Sequence, residues 1–141
     1  MASECVKVMV RCRPMNSKEN NRGKSTILIT LIFVLLLGCH SICKIDKTTH
    51  QVLVQPNGEG GPEEKIFAYD SVYGIDSTQQ QVYDETAFPL VESVIGGFNG
   101  TMFAYGQTGC GKTHTMVGYP GEEGRGIIPN AFAHIYGYID D

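Results

Sequence analysis

The stretch Gly106-Gln107-Thr108-Gly109-Cys110-Gly111-Lys112-Thr113 decides how this chain is read. It fits the pattern G-x-x-x-x-G-K-[ST] at every position. Gly106, Gly109 and Gly111 let the backbone curl through positive φ and bring several N–H groups toward one point, with no Cβ in the way. Converging amides beside a lysine suit a polyphosphate. In such a loop Lys112 reaches the β- and γ-phosphates as a point charge. The Thr113 hydroxyl joins phosphate oxygens and water around Mg²⁺. Lys112 and Thr113 are expected to open a helix whose N-terminus faces the anion.

Working outward, Thr101-Met102-Phe103-Ala104-Tyr105 is a short apolar run after the turn pair Asn99-Gly100, and it reads as a buried parallel strand leading into the loop. Before it, Ser77-Thr78-Gln79-Gln80 signals a capping box. Tyr83, Ala87, Leu90, Val91, Val94 and Phe98 recur at helical spacing until Gly96-Gly97. Pro89 lies inside that pattern, lacks an N–H, and is expected to kink the helix or divide its hydrogen bonding. After Met116, the Gly- and Pro-rich run Val117 to Gly126 reads as a mobile loop. Pro129 suits the first turn of a last helix, with Ala131, Phe132, Ile135 and Ile139 on its apolar side.

At the other end, Val6 to Arg11 alternates in the manner of a strand, and Pro14 ends it. Arg11 and Arg13 beside the flat ring of Pro14 offer a cradle for a base or ribose, the alternative being a solvated strand terminus. His50 to Gln55 reads as an edge strand closed by the turn-rich Pro56 to Pro62, and Lys65 to Asp70 as another strand. Gly23-Lys24-Ser25 echoes the end of a phosphate loop, but Lys18 stands where the first glycine belongs.

Ile27 to Leu37 is the one membrane-like segment, and no charge occurs between Lys24 and Lys44. Its strongly apolar part is short for a transmembrane helix, and a long polar stretch precedes it, unlike a secretory signal. A crossing there would also pull the first strand away from a sheet containing the loop strand. We therefore read residues 26–43 as an atypical apolar insertion rather than a membrane anchor. An anchored interaction protein built on 27–37 is the alternative.

The 141 residues suit one domain, and the net charge of −4 gives no basic footprint for nucleic acid. Glycine is abundant, at 17 residues, in keeping with many tight turns. Five cysteines without a regular framework suit free thiols in a reducing compartment. Cys39-His40-Ser41-Ile42-Cys43 lacks a second ligand pair for a metal.

Asn99 to Met116, with Gly106-Gln107-Thr108-Gly109-Cys110-Gly111-Lys112-Thr113-His114-Thr115-Met116 at its centre, resembles the phosphate-loop region of kinesin motor domains. Val8 to Pro14 resembles their first strand with its RxRP motif. Phe67-Ala68-Tyr69-Asp70, the helix after Ser77 and Gly126 to Phe132 extend the likeness to nearly everything except about residues 17 to 45. Met1-Ala2-Ser3-Glu4 and Met15-Asn16 resemble the N-terminal-motor kinesins of ciliary and intraflagellar transport, particularly the homodimeric branch.

The resemblance implies an α/β fold of the P-loop NTPase type, a mixed central sheet flanked by helices and here incomplete, with residues 1–141 forming the N-terminal part of a motor domain. It implies ATP and Mg²⁺ as cofactors. Gly106, Gln107, Thr108, Gly109, Cys110, Gly111, Lys112 and Thr113 would sit on the phosphates, Thr113 at the metal, Arg11, Arg13 and Pro14 around the adenine, and His114 near the nucleoside. Val117 to Gly126 matches the family's variable loop near the pocket. Microtubules are the implied partner and the cytoplasmic cytoskeleton, or a cilium, the implied location, with homodimerisation only through C-terminal regions. The family's two switch regions, which position water and stabilise developing charge, would lie beyond Asp141. Residues 1–141 are accordingly expected to contain no catalytic residue and not to turn over ATP. A non-motor P-loop nucleotide-binding protein is the other alternative.

Overall fold

The computed structural model describes residues 6–17, 43–55 and 64–140. The chain divides into two compact units, Met1–Ile75 and Asp76–Asp141. The apolar segment read as an insertion, Ile27 to Leu37 included, lies outside the described residues. So does the Cys39–Ile42 part of the cysteine cluster. No helix among the described residues is long and apolar enough to cross a membrane.

The first unit contains two small sheets. Strand β1 (Met9–Arg11) pairs in parallel with β5 (Ser71–Tyr73), with Val10 opposite Val72. The ladder is prolonged at both ends: Asp70 N–H donates to Val8 O at 3.0 Å and Cys12 N–H to Tyr73 O at 2.8 Å. The Asp70 carboxylate also accepts from Val8 N–H at 2.7 Å, so one residue grips both backbone groups of Val8. Val72 and Tyr73, both buried, anchor this pair.

The second sheet is antiparallel, in the order β2 (Cys43–Asp46), β3 (Gln51–Val54), β4 (Lys65–Ala68). Gln51–Val54 is therefore the central strand, not the edge strand expected. Its second neighbour, Cys43–Asp46, comes from the polar stretch that follows the apolar segment, and Cys43, counted within the expected insertion, pairs with Val54. The expected strand Lys65 to Asp70 stops at Ala68. The chain turns through Tyr69 and Asp70 and enters the other sheet at Ser71. The β2–β3 turn is closed by Asp46, whose Oδ1 accepts from Thr48 N–H at 2.8 Å and Thr49 N–H at 3.2 Å. A hydrogen bond from the Thr49 side chain, followed by these two backbone bonds, stabilises the carboxylate and holds its pKa below the ordinary value.

The second unit is helical. Thr78, rather than Ser77, caps α1 (Gln79–Val82), its hydroxyl accepting from Gln81 N–H at 3.0 Å. A π turn (Tyr83–Ala87) follows and passes directly into α2 (Phe88–Ile95). Pro89 accounts for the wide turn. Its missing N–H and its ring rule out the normal bond to Glu85 O, and one residue earlier Phe88 N–H reaches back five residues to Tyr83 O. The expected division of hydrogen bonding at Pro89 thus takes the form of a π turn. Val82, Tyr83, Ala87 and Val91 are buried, whereas Val94 and Phe98 are exposed.

Thr101 to Tyr105 is not a strand. The run joins no ladder, and Phe103 and Tyr105 are 78% and 94% exposed. A parallel strand gets its hydrogen bonds from neighbouring strands, which apolar composition does not provide. The last helix, α4 (Ile127–Asp140), starts with Pro129 in its first turn as expected, but Phe132 and Ile139 on its expected apolar side are exposed. α4 meets the earlier helices through His134, which stacks on Phe88 with ring centroids 4.7 Å apart.

Candidate functional site

The loop Gly106 to Gly111 is built on left-handed backbone. Gly106, Gly109 and Gly111 have φ of 147°, 82° and 105°. A side chain at Gly109 would meet no atom, so the demand there is conformational alone. At Gly106 it is also spatial, since a Cβ would lie 2.5 Å from Cys110 Sγ. Cys110 N–H donates to Gln107 O at 3.2 Å, closing the turn. Gly111 is the N-cap of α3 (Lys112–Met116), so the helix opens at the lysine as the sequence predicts.

Lys112 folds back over the loop that precedes it. Its Nζ donates to Gly106 O at 2.8 Å and Gln107 O at 2.9 Å. The ammonium thus satisfies itself on carbonyl oxygens at the centre of the loop, where other oxygens could replace them. Thr113, one residue on, is exposed. Positive-φ glycines, an exposed hydroxyl and a centrally placed ammonium together fit a metal-bound polyphosphate.

Downstream of α3, the Val117 to Gly126 segment is a closed hairpin rather than the mobile loop expected. Gly118 bridges Arg125 in antiparallel fashion. Tyr119 N–H donates to Gly124 O at 2.9 Å and Gly126 N–H to Val117 O at 3.1 Å. A short 3₁₀ turn (Glu122–Gly124) forms its tip. The glycines here serve close packing: a Cβ at Gly126 would lie 2.6 Å from the Met116 carbonyl, and one at Gly124 would strike the Tyr119 ring. The hairpin and α4 border an open groove of about 520 Å³ lined by Tyr119, Pro120, Ile128 and Phe132, among others.

His114 is exposed, and its ring stacks on Tyr119 with centroids 5.6 Å apart and planes 28° apart. The backbone carbonyl of the same residue accepts from Gln79 Nε2 at 2.5 Å, and a second Gln79 bond reaches Gly124 O at 3.3 Å. Sequence reasoning counted Gln79 only as part of a helix cap. Its single sequence signal is a long polar side chain at the start of an amphipathic helix, on the side that carries Tyr83 and Ala87.

The second unit thus brings Gly106 to His114 together. Arg11, Arg13 and Pro14 belong to the first unit, on and just after β1. Arg11 is half-buried, and Arg13 Nη1 donates to Pro14 O at 2.9 Å. Between the arginines, Cys12 is a free thiol. Burial and the neighbouring Cys43 push its pKa up, and Arg13 partly offsets them. Among the described residues no group of His, Cys, Asp and Glu is arranged to hold a metal by itself.

The family model for the kinesin motor domain matches residues 11–141. Kinesin-like protein KIF3C from Bos taurus is 46% identical over 139 residues, which is 98% of this chain and 16% of that protein. KIF3C from Pongo abelii and from Mus musculus are each 45% identical over the same length. The chain therefore spans about 16% of the length of the curated relatives it matches. With the match running from Arg11 through the glycine loop to Asp141, the chain belongs to the kinesin motor domain family, whose members bind nucleotide.

Proposed function

We propose that Gly106 to Thr113 bind MgATP and that residues 1–141 form the ATP-binding part of a microtubule-based motor. The observation that carries this reading is the Lys112 ammonium closed on Gly106 O and Gln107 O, inside a loop whose three glycines hold left-handed backbone. When phosphate enters, Lys112 exchanges those two carbonyl oxygens for β- and γ-phosphate oxygens, and the backbone amides of the loop complete the grip. Thr113 contributes its hydroxyl to the Mg²⁺ shell. Bound ATP supplies a phosphoanhydride whose cleavage drives movement in the whole motor.

Arg11, Arg13 and Pro14 are proposed to flank the adenine, and His114 to lie beside the nucleoside. The Tyr119 ring stacks on His114. For the longer protein we propose microtubules as partner and the cytoskeleton, including a cilium, as location, with pairing through regions C-terminal to this segment. Residues 26–43 are proposed to interrupt the motor domain as an insertion, which sequencing of the transcript across these codons checks.

Equilibrium binding of a fluorescent MgATP analogue to the 141-residue chain tests the site. Saturable binding that Lys112→Ala abolishes supports it. No binding, or binding unaffected by Lys112→Ala, sinks it.

A further inference from the structure

The Gln79 carboxamide joins three segments of the second unit: the start of α1, the end of α3, and the hairpin that follows α3. The way α3 ends explains the bond to His114. In a continuing α-helix the His114 carbonyl would accept from the N–H of residue 118. Here Gly118, with φ of 83°, turns its N–H to Thr113 O at 3.1 Å, and Val117 N–H goes to that oxygen as well, at 2.8 Å. The helix end thus leaves the His114 carbonyl outside its own ladder, and Gln79 Nε2 takes the place of the helical donor. The second amide hydrogen goes to Gly124 O, the oxygen that also closes the hairpin through Tyr119 N–H.

Gln79 is itself firmly held. It is 5% exposed, at the start of α1. α3 is short, so its ends move together, and Lys112 and Thr113 lie within two residues of the carbonyl that Gln79 grips. We infer that Gln79 is a positioning residue for the phosphate loop: it sets the placement of α3, and through it that of the Lys112 ammonium and Thr113 hydroxyl, without touching nucleotide. The inference rests on the MgATP reading above.

The test uses the full 141-residue chain with Gln79→Met, which keeps the length of the side chain and removes its donors, and Gln79→Glu, which sets an acceptor against two carbonyls. Thr78→Ala is the control, because it weakens the same helix end without a link to α3. Two readouts are taken: affinity for a fluorescent MgATP analogue, and amide hydrogen exchange at Thr115 and Val117. Both Gln79 variants are expected to bind about tenfold more weakly and to exchange faster at Thr115 and Val117. Thr78→Ala, though less stable to heat, should bind within about twofold of the parent, well below one hydrogen bond's worth. Parental affinity in Gln79→Met, equal losses in Thr78→Ala, or unchanged exchange at Thr115 and Val117 would each overturn the inference. Were the parent chain itself not to bind the analogue, the MgATP reading would fail, and faster exchange confined to the Gln79 variants would still support the positioning of α3.

Discussion

His134 Nε2 lies 2.7 Å from Glu92 Oε1, while the other ring nitrogen lies 2.9 Å from the hydroxyl of Tyr83. One imidazole therefore joins α4 to both α2 and the π turn. The neutral ring protonated at Nε2 satisfies both contacts, donating to Glu92 and accepting from Tyr83. Glu92 is largely exposed, so its share is small, whereas Tyr83 is buried and needs its partner.

Replacing His134 by Ala is accordingly expected to cost about 1–3 kcal/mol, chiefly through the stranded Tyr83 hydroxyl and the lost stacking on Phe88. Glu92→Gln should cost well under half of that. Urea unfolding of the two variants compares them, and equal losses would refute the ranking.

The hairpin after α3 depends on Gly118. A Cβ there would run into the Gly124 carbonyl and the Gly126 amide, both backbone groups that no rotamer change can move, and the residue sits at φ of 83°. Gly118→Ala should therefore cost about 2 kcal/mol or more. Gly121 also has positive φ, but a Cβ there meets nothing, so Gly121→Ala should cost about 1–3 kcal/mol through backbone strain alone. Thermal unfolding of both variants measures the difference.

In the first unit, acid should loosen the β2–β3 turn. The Asp46 carboxylate is favoured by bonds from Thr49 and Thr48, so its folded pKa lies below the ordinary 3.8. The stabilisation is present above that ordinary value and fades as pH falls through the lower, folded value. NMR titration should show the Thr48 and Thr49 amide resonances shifting with a midpoint below 3.8, and Asp46→Asn should remove that titration.

The phosphate loop was legible from its letters because its requirements are local. Glycines at 106, 109 and 111 answer to backbone angles set within the loop, and Lys112 opens a helix where the pattern places it. Pro89 was legible for the same reason, since a missing N–H acts on its own helix. What the sequence hid depended on distant partners. Cys43–Asp46 becomes a strand only because Gln51–Val54 lies beside it, and this pairing makes the latter central. Thr101 to Tyr105 has the composition of a buried strand but no ladder to join. Gly118, Gly124 and Gly126 suggested mobility, yet their contacts show that they make room for close backbone crossings. Gln79 could not be found from sequence because its partners are carbonyls, which every residue has.

The π turn has a further consequence. Gln79, Tyr83, Ala87 and Val91 are all buried and stand four residues apart. In an uninterrupted α-helix each such step overshoots a full revolution by about 40°, so the row would wind about 120° around the axis by Val91. The wider revolution at Tyr83–Ala87 gives part of that angle back. Pro89 thus acts as a phase corrector, letting a four-residue rhythm run as a nearly straight seam with Gln79 at its head.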